Sequence, residues 1–161
     1  MKQFQTGAAL VELVVLTPFL ITLLVGTAEL GRAILQINTL NKALIGGARV
    51  VARFDNAVNT ADCSEGSAWA QATARGAAII QYGSSGQGDL IMPGLDQNGA
   101  VVFSSGLSNA ALPSSGSVGV CVVTVRSEIP FAALFGASLV PFVQLTPPNI
   151  GAKVEERYFG S

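Results

Sequence analysis

Between Glu12 and Glu29 the chain reads LVVLTPFLITLLVGTA with no charge at all, and no other stretch limits the fold as strongly. With AALVE in front of it, this run is long enough to cross a hydrocarbon core of about 30 Å as a helix. Half of all residues are hydrophobic and only 12% are charged, a balance too oily for a water-soluble domain unless one segment concentrates the excess. Pro18 is tolerable there, because Thr17 or neighbouring helices can satisfy the backbone carbonyl that a proline frees, at the cost of a kink near residues 14–18. The apolar spacing continues through Leu30, Ile34, Ile37, Leu44, Ala48 and Val51. One helix from Ala8 to Arg53 would be roughly 65–70 Å long, so half of it should stand outside the bilayer. Gly46 and Gly47 weaken that extension by about 1 kcal/mol each relative to alanine and mark the place where it would break.

Glu12 lies one turn inside the apolar run, where a carboxylate opposes insertion by about 2–3 kcal/mol unless a cation meets it. Hydrolysis of the Gly7–Ala8 bond would make that cation, the new α-amine of Ala8. Within one helix the amine and the Glu12 side chain are about a turn apart, and between staggered chains Glu12 of one can meet Ala8 of the next. Two rival readings leave Glu12 without a role. One is a secretory signal peptide, with Lys2 as its basic region and a cut after Ala28, releasing a soluble periplasmic binding module. The other is a plain single-span anchor with Glu12 near the interface.

The remaining composition excludes several function classes. A net charge of −1 argues against nucleic acid as a partner. Histidine is absent, which removes the commonest general base, the commonest neutral metal ligand and the usual partner of a Ser or Cys nucleophile. We expect no catalytic residue, no metal and no cofactor, hence no enzyme. The glycines of GSSGQG, Gly83 to Gly88, lack the lysine and the strand-to-helix setting of a phosphate loop and read as a flexible turn.

Beyond Arg53 a polar loop carries Cys63, and Ser67 is placed to cap a short helix whose Trp69, Ala72 or Thr73, Gly76 and Ile80 share a face. A hairpin is expected around Asn98–Gly99, and the Ser and Gly content of Ser104 to Gly119 predicts an exposed loop. From Val118 the period becomes two: Val118, Val120 and Val122 alternate with Cys121, Val123 and Val125. Both faces are apolar, so this strand should be central or covered, with Ala100–Phe103 and Lys153–Phe159 as antiparallel partners against the outer half of the long helix. Cys121 would point toward the Cys63 loop and bridge to it in an oxidising compartment. The uncharged stretch Ile129 to Val143 reads as a buried turn on the sheet or, through Phe131, Phe135 and Phe142, as a contact patch for a partner subunit or the membrane surface. The fold class is α+β: a leader at residues 1–7, a helix at 8–53 and an extracytoplasmic domain at 54–161.

A short polar leader ending in Gly7, Glu12 at the fifth position after it and a long apolar helix resemble a type IV prepilin-type processing site. TGAALVELVVLTPFLITLLVGTAELGRAI is similar over its whole length to TadE-like minor pseudopilins of the tight-adherence (Tad, Flp) pilus systems. IGGARVVAR, Ile45 to Arg53, CVVTVRSEIPF, Cys121 to Phe131, and LTPPNIGAKVEE, Leu145 to Glu156, add weaker likeness. Ala8 stands where many type IV pilins have a larger apolar first residue, and Leu13 where major Flp pilins often have an aromatic one, which favours a minor pseudopilin over the major subunit. The resemblance implies cleavage after Gly7 by a prepilin peptidase and a single pass through the inner membrane with the C-terminal domain in the periplasm. It also implies work with a sister pseudopilin and other assembly proteins, at the base of the pilus or within it.

Overall fold

The computed structural model describes residues 4–84, 88–97, 99–111, 117–133 and 148–160. Two helices, α1 (Phe4–Ala52) and α2 (Trp69–Tyr82), precede three strands, β1 (Val101–Ala111), β2 (Ser117–Pro130) and β3 (Asn149–Arg157). Helix α1 is a single element of 49 residues, about 73 Å long. Its threonines return their hydroxyls to the backbone one turn earlier, Thr17 to Leu13 O at 2.6 Å and Thr22 to Pro18 O at 2.8 Å, which removes their polarity from an apolar surround. Thr17 therefore serves Leu13, not the Val14 carbonyl that Pro18 leaves open, a correction to the expected pairing.

The helix does not break at Gly46–Gly47, because those glycines meet α2. A Cβ on Gly47 would lie 2.5 Å from Ile80 and 2.7 Å from the Gly76 carbonyl oxygen, and one on Gly76 would lie 2.7 Å from Val51. The two backbones touch where neither residue has a side chain. Around this crossing Leu40, Leu44, Ala48 and Val51 of α1 and Ala72 and Ile80 of α2 are buried. The face expected of α2 is thus the packed one, with Trp69 partly buried at its start. Ser67, in contrast, does not cap it. The N-cap is Ala68 with no side-chain bond, while Gly83 closes the other end in the left-handed region at φ 73°, its N–H bonded to Ile79 O.

The sheet has the order β1-β2-β3, antiparallel throughout, with Phe103 opposite Val125 and Val125 opposite Val154. The central place of β2 agrees with its sequence, yet only one of its faces is covered: Val123, Val125, Ser127 and Ile129 are buried, while Val120, Val122 and Thr124 are half-buried. Strand β1 corrects the sequence reading most. It runs through Ser104 to Ala111, where an exposed loop was expected, because each of these residues pairs with β2, whose Val118, Val120, Val122, Val123 and Thr124 are β-branched. Backbone pairing with a strong strand outweighs the weak propensity of Ser, Gly and Asn. No hairpin forms ahead of it among the described residues. Residues 94–97 and 99–100 form turns, Gly99 having φ 82°, and Asn98 lies outside the described residues. Strand β3 starts four residues before the expected Lys153, at Asn149 opposite Pro130.

Cys63 and Cys121 are joined, with Cα atoms 5.1 Å apart. The loop before α2 is further held by the Val58–Glu65 bridge and by Asp62, whose carboxylate accepts from the Ser64 hydroxyl at 2.7 Å and the Ser64 N–H at 3.1 Å. These two bonds hold the Asp62 carboxyl below its ordinary pKa.

Two predictions follow from this packing. Gly47→Ala gains about 1 kcal/mol of helix propensity but forces a methyl into the Gly76 carbonyl, for a net loss of about 1–2 kcal/mol. Gly46→Ala meets only Ile79 at an ordinary 3.5 Å and should stabilise by somewhat under about 1 kcal/mol. Denaturant unfolding of the two variants in detergent checks the opposite signs. Paired Cys63→Ser and Cys121→Ser replacement releases a cross-link spanning 58 residues and should cost about 4 kcal/mol, read as a fall in melting temperature that reductant reproduces in the parent protein.

Candidate functional site

Helix α1 divides at Leu40. Above it, one face is buried by the chain's own domain; below it, from Leu10 to Leu24, every Leu, Val, Ile and Phe is between 49% and 71% exposed. An amphipathic helix would hide its apolar residues on one side, but here they surround the axis. The segment is long and apolar enough to cross a membrane, and it is the candidate span among the described residues.

Gly7 and Ala8 lie in the second turn of this helix, and Glu12 projects from it one turn further on, exposed among Val11, Leu13 and Leu16. A Cβ on Gly7 would meet nothing within 4 Å, so packing within the chain does not explain glycine there. Ion pairs among the described residues include Arg49–Glu156, Arg126–Glu128 and Lys153–Glu155, all in the domain or at its contact with the helix; Glu12 takes part in none of these three. Chemically, the N-terminal end presents a carboxylate in an apolar setting next to a bond between two small residues.

The domain is fastened to the outer half of α1 at three heights. Lowest is Gln36, whose side-chain amide donates to Ala132 O at 3.0 Å and accepts from Ala132 N–H at 3.3 Å, pinning the end of β2. In the middle Arg49 meets Glu156 of β3 at 3.2 Å. At the top Phe159 N–H donates to Ala52 O at 2.8 Å and the Tyr158 hydroxyl donates to Phe54 O at 2.9 Å. Sequence reasoning missed Gln36, which shares its stretch of helix with Asn38 and Asn41, so its residue type alone did not single it out.

Of the proposed patch, Phe131 is partly buried against the core, in keeping with a packed turn, and its N–H bonds Pro148 O at 3.0 Å. Phe135 and Phe142 lie outside the described residues. Cys63 and Cys121 are brought together as expected, on the loop before α2 and on β2, away from the end of α1 that carries Gly7, Ala8 and Glu12. Among the described residues no group of three or more His, Cys, Asp or Glu could hold a metal ion.

Residues 7–49 match the family described as TadE-like protein. No similar curated protein and no similar solved structure was found. The match opens at Gly7 and closes within the buried part of α1, so it covers both the exposed span and most of the face on which the domain packs. The likeness to TadE-like proteins thus rests on the helix on which the rest of the molecule is built.

Proposed function

We propose that the chain is a minor pilin-like subunit needed to assemble a Tad-type adhesion pilus, and that its work is structural rather than catalytic. The observation that carries this reading is a family match opening at Gly7 on a helix whose apolar residues are bare on all sides as far as Leu24. A prepilin peptidase would cut the Gly7–Ala8 bond. That bond lies within two turns of the helix start, where fraying makes opening the backbone for cleavage less costly than in mid-helix. The mature helix would remain in the inner membrane with the domain in the periplasm, an oxidising compartment that suits the Cys63–Cys121 bridge.

In this reading the new α-amine of Ala8 and the Glu12 carboxylate are each costly in lipid and neutralise one another when subunits gather. Association between helices in lipid gains nothing from hiding apolar surface, since lipid is equally apolar. A charge pair at the start of the helix therefore supplies both drive and register for contact with a sister subunit.

A second reading has one observation in its favour: every buried residue of α1 lies at Leu40 or beyond, so a cut after Ala28 would leave the core intact and release a soluble domain. Mass measurement of the mature protein separates the two. The pilin reading requires Ala8 as first residue and a membrane-bound product; a start at Glu29 in the soluble periplasm, or an unprocessed Met1 in a functioning strain, overturns it. Glu12→Gln should keep processing and membrane insertion but reduce pilus assembly, and normal piliation in that variant would remove the role given to the carboxylate.

A further inference from the structure

The apolar surface of α1 does not stop where the charge-free run stops. Leu30, Ile34, Leu35 and Ile37, all beyond Glu29, are 64%, 52%, 68% and 40% exposed. They stand beneath the domain, and two clefts flank them. One, of about 580 Å³, lies between Gly26, Glu29, Leu30 and Ile37 of the helix and Phe131, just past the end of β2, and Ile150 of β3. The other, of about 290 Å³, lies between Leu35, Gln36 and Thr39 and the Ile91–Pro93 turn. Leu90 and Ile91 of that turn are themselves 36% and 37% exposed.

The height of this collar can be placed by counting. A hydrocarbon core of about 30 Å takes about 20 helical residues. With Glu12 at or just inside the inner boundary, the outer boundary falls between Ala28 and Arg32. Leu35, and Ile91 across the cleft from it, then stand about 5–10 Å above that boundary, within the depth at which apolar surfaces rest in the headgroup and upper acyl layer. Arg32 borders the second cleft, partly buried, with its Nε atom lacking a hydrogen-bond partner among the described residues. A side chain of this kind can lie along apolar surface and present its guanidinium to lipid phosphate.

We infer that the lower face of the domain is a lipid-contacting surface: the Leu30–Ile37 collar and the Leu90–Pro93 turn sink into the outer-face headgroup layer of the membrane that α1 spans, and lipid fills the clefts between them. The occupant is lipid because this surface continues directly from the exposed span. The inference rests on the membrane-anchored reading above. Its consequence is mechanical: the domain sits on the bilayer instead of swinging above it, so its orientation toward neighbouring subunits is fixed before any of them arrive.

The test uses the full chain reconstituted at high lipid excess into phosphatidylethanolamine and phosphatidylglycerol vesicles whose acyl chains are brominated near the headgroup end. Its single tryptophan, Trp69 at the start of α2, gives the background quenching. Leu16→Trp reports the span, Leu35→Trp the collar and Ile91→Trp the domain turn. The expected result is a loss of fluorescence for Leu35→Trp close to that of Leu16→Trp, and for Ile91→Trp a smaller loss that still exceeds the parent's. Quenching at Leu16 with parent-like values at Leu35 and Ile91 overturns the inference while leaving the anchor intact, and would mean that protein fills the clefts. Quenching at Leu35 but not Ile91 also overturns it, because the domain would then stand clear of the bilayer. An unquenched Leu16 removes the anchored reading itself.

Discussion

The structure depends on one contact, the approach of Gly47 on α1 to Gly76 on α2. Each glycine leaves space that the other helix fills: Ile80 and the Gly76 carbonyl crowd Gly47, and Val51 crowds Gly76. Two glycines in mid-helix sacrifice about 2 kcal/mol of propensity together. The close approach returns more than that, because it lets Leu44, Ala48, Val51, Ala72 and Ile80 all reach the same core at an interior packing density. A domain this small, with its sheet of three strands, has few other large buried groups, and apart from Leu95 in the turn before β1 the largest fully buried ones lie on α1, on α2 and on the odd-numbered face of β2.

From that crossing the restraints spread along α1 in a way that makes helix and domain one body. Gln36 grips Ala132, Arg49 meets Glu156, and the chain after β3 returns to bond Ala52 and Phe54. The exposed ion pair contributes little, in the range of about 0–1 kcal/mol. The amide clamp and the backbone bonds at the top contribute direction: they fix the sheet against the helix at both ends. Cys63–Cys121 then ties the loop before α2 to the central strand, so α1, α2 and the sheet cannot separate one at a time.

Much of this was legible in the sequence, for specific reasons. The length and apolar spacing of α1 predicted a helix of nearly the observed extent, and the alternation from Val118 placed β2 at the centre with the correct neighbours. Two cysteines with only each other to meet predicted the bridge. The failures share one cause: they concern residues whose role is set by what lies opposite. Gly47 reads as a weak point until Gly76 is seen across from it. Ser104–Ala111 read as a loop because their own propensities are poor, and became strand because β2 offered a full ladder. Ser67 has the chemistry of a cap, but the turn placed Ala68 at that position. Of the candidate site, the carboxylate and the small residues before it were visible at once, whereas the three-level mounting of the domain was not.

The division of α1 at Leu40 gives the Glu12 argument its force. One apolar pattern runs the length of the helix, but the chain satisfies it with its own core above Leu40 and leaves it bare below. Lipid can cover bare apolar side chains without preference for orientation or partner, so the lower half carries almost no specificity through its hydrophobicity. Its hydroxyls are consumed by the helix itself, Thr17, Thr22 and Thr27 each bonding a carbonyl three or four residues back. Within Leu10–Ala28 that leaves Glu12 as the one ionisable side chain by which a neighbour could be told from lipid. A carboxylate alone in that setting repels its own copies and disfavours depth. In the proposed reading, a new amine beside it would make it attractive to a staggered neighbour, so removal of a few leader residues would change the sign of the interaction between subunits without altering the fold above.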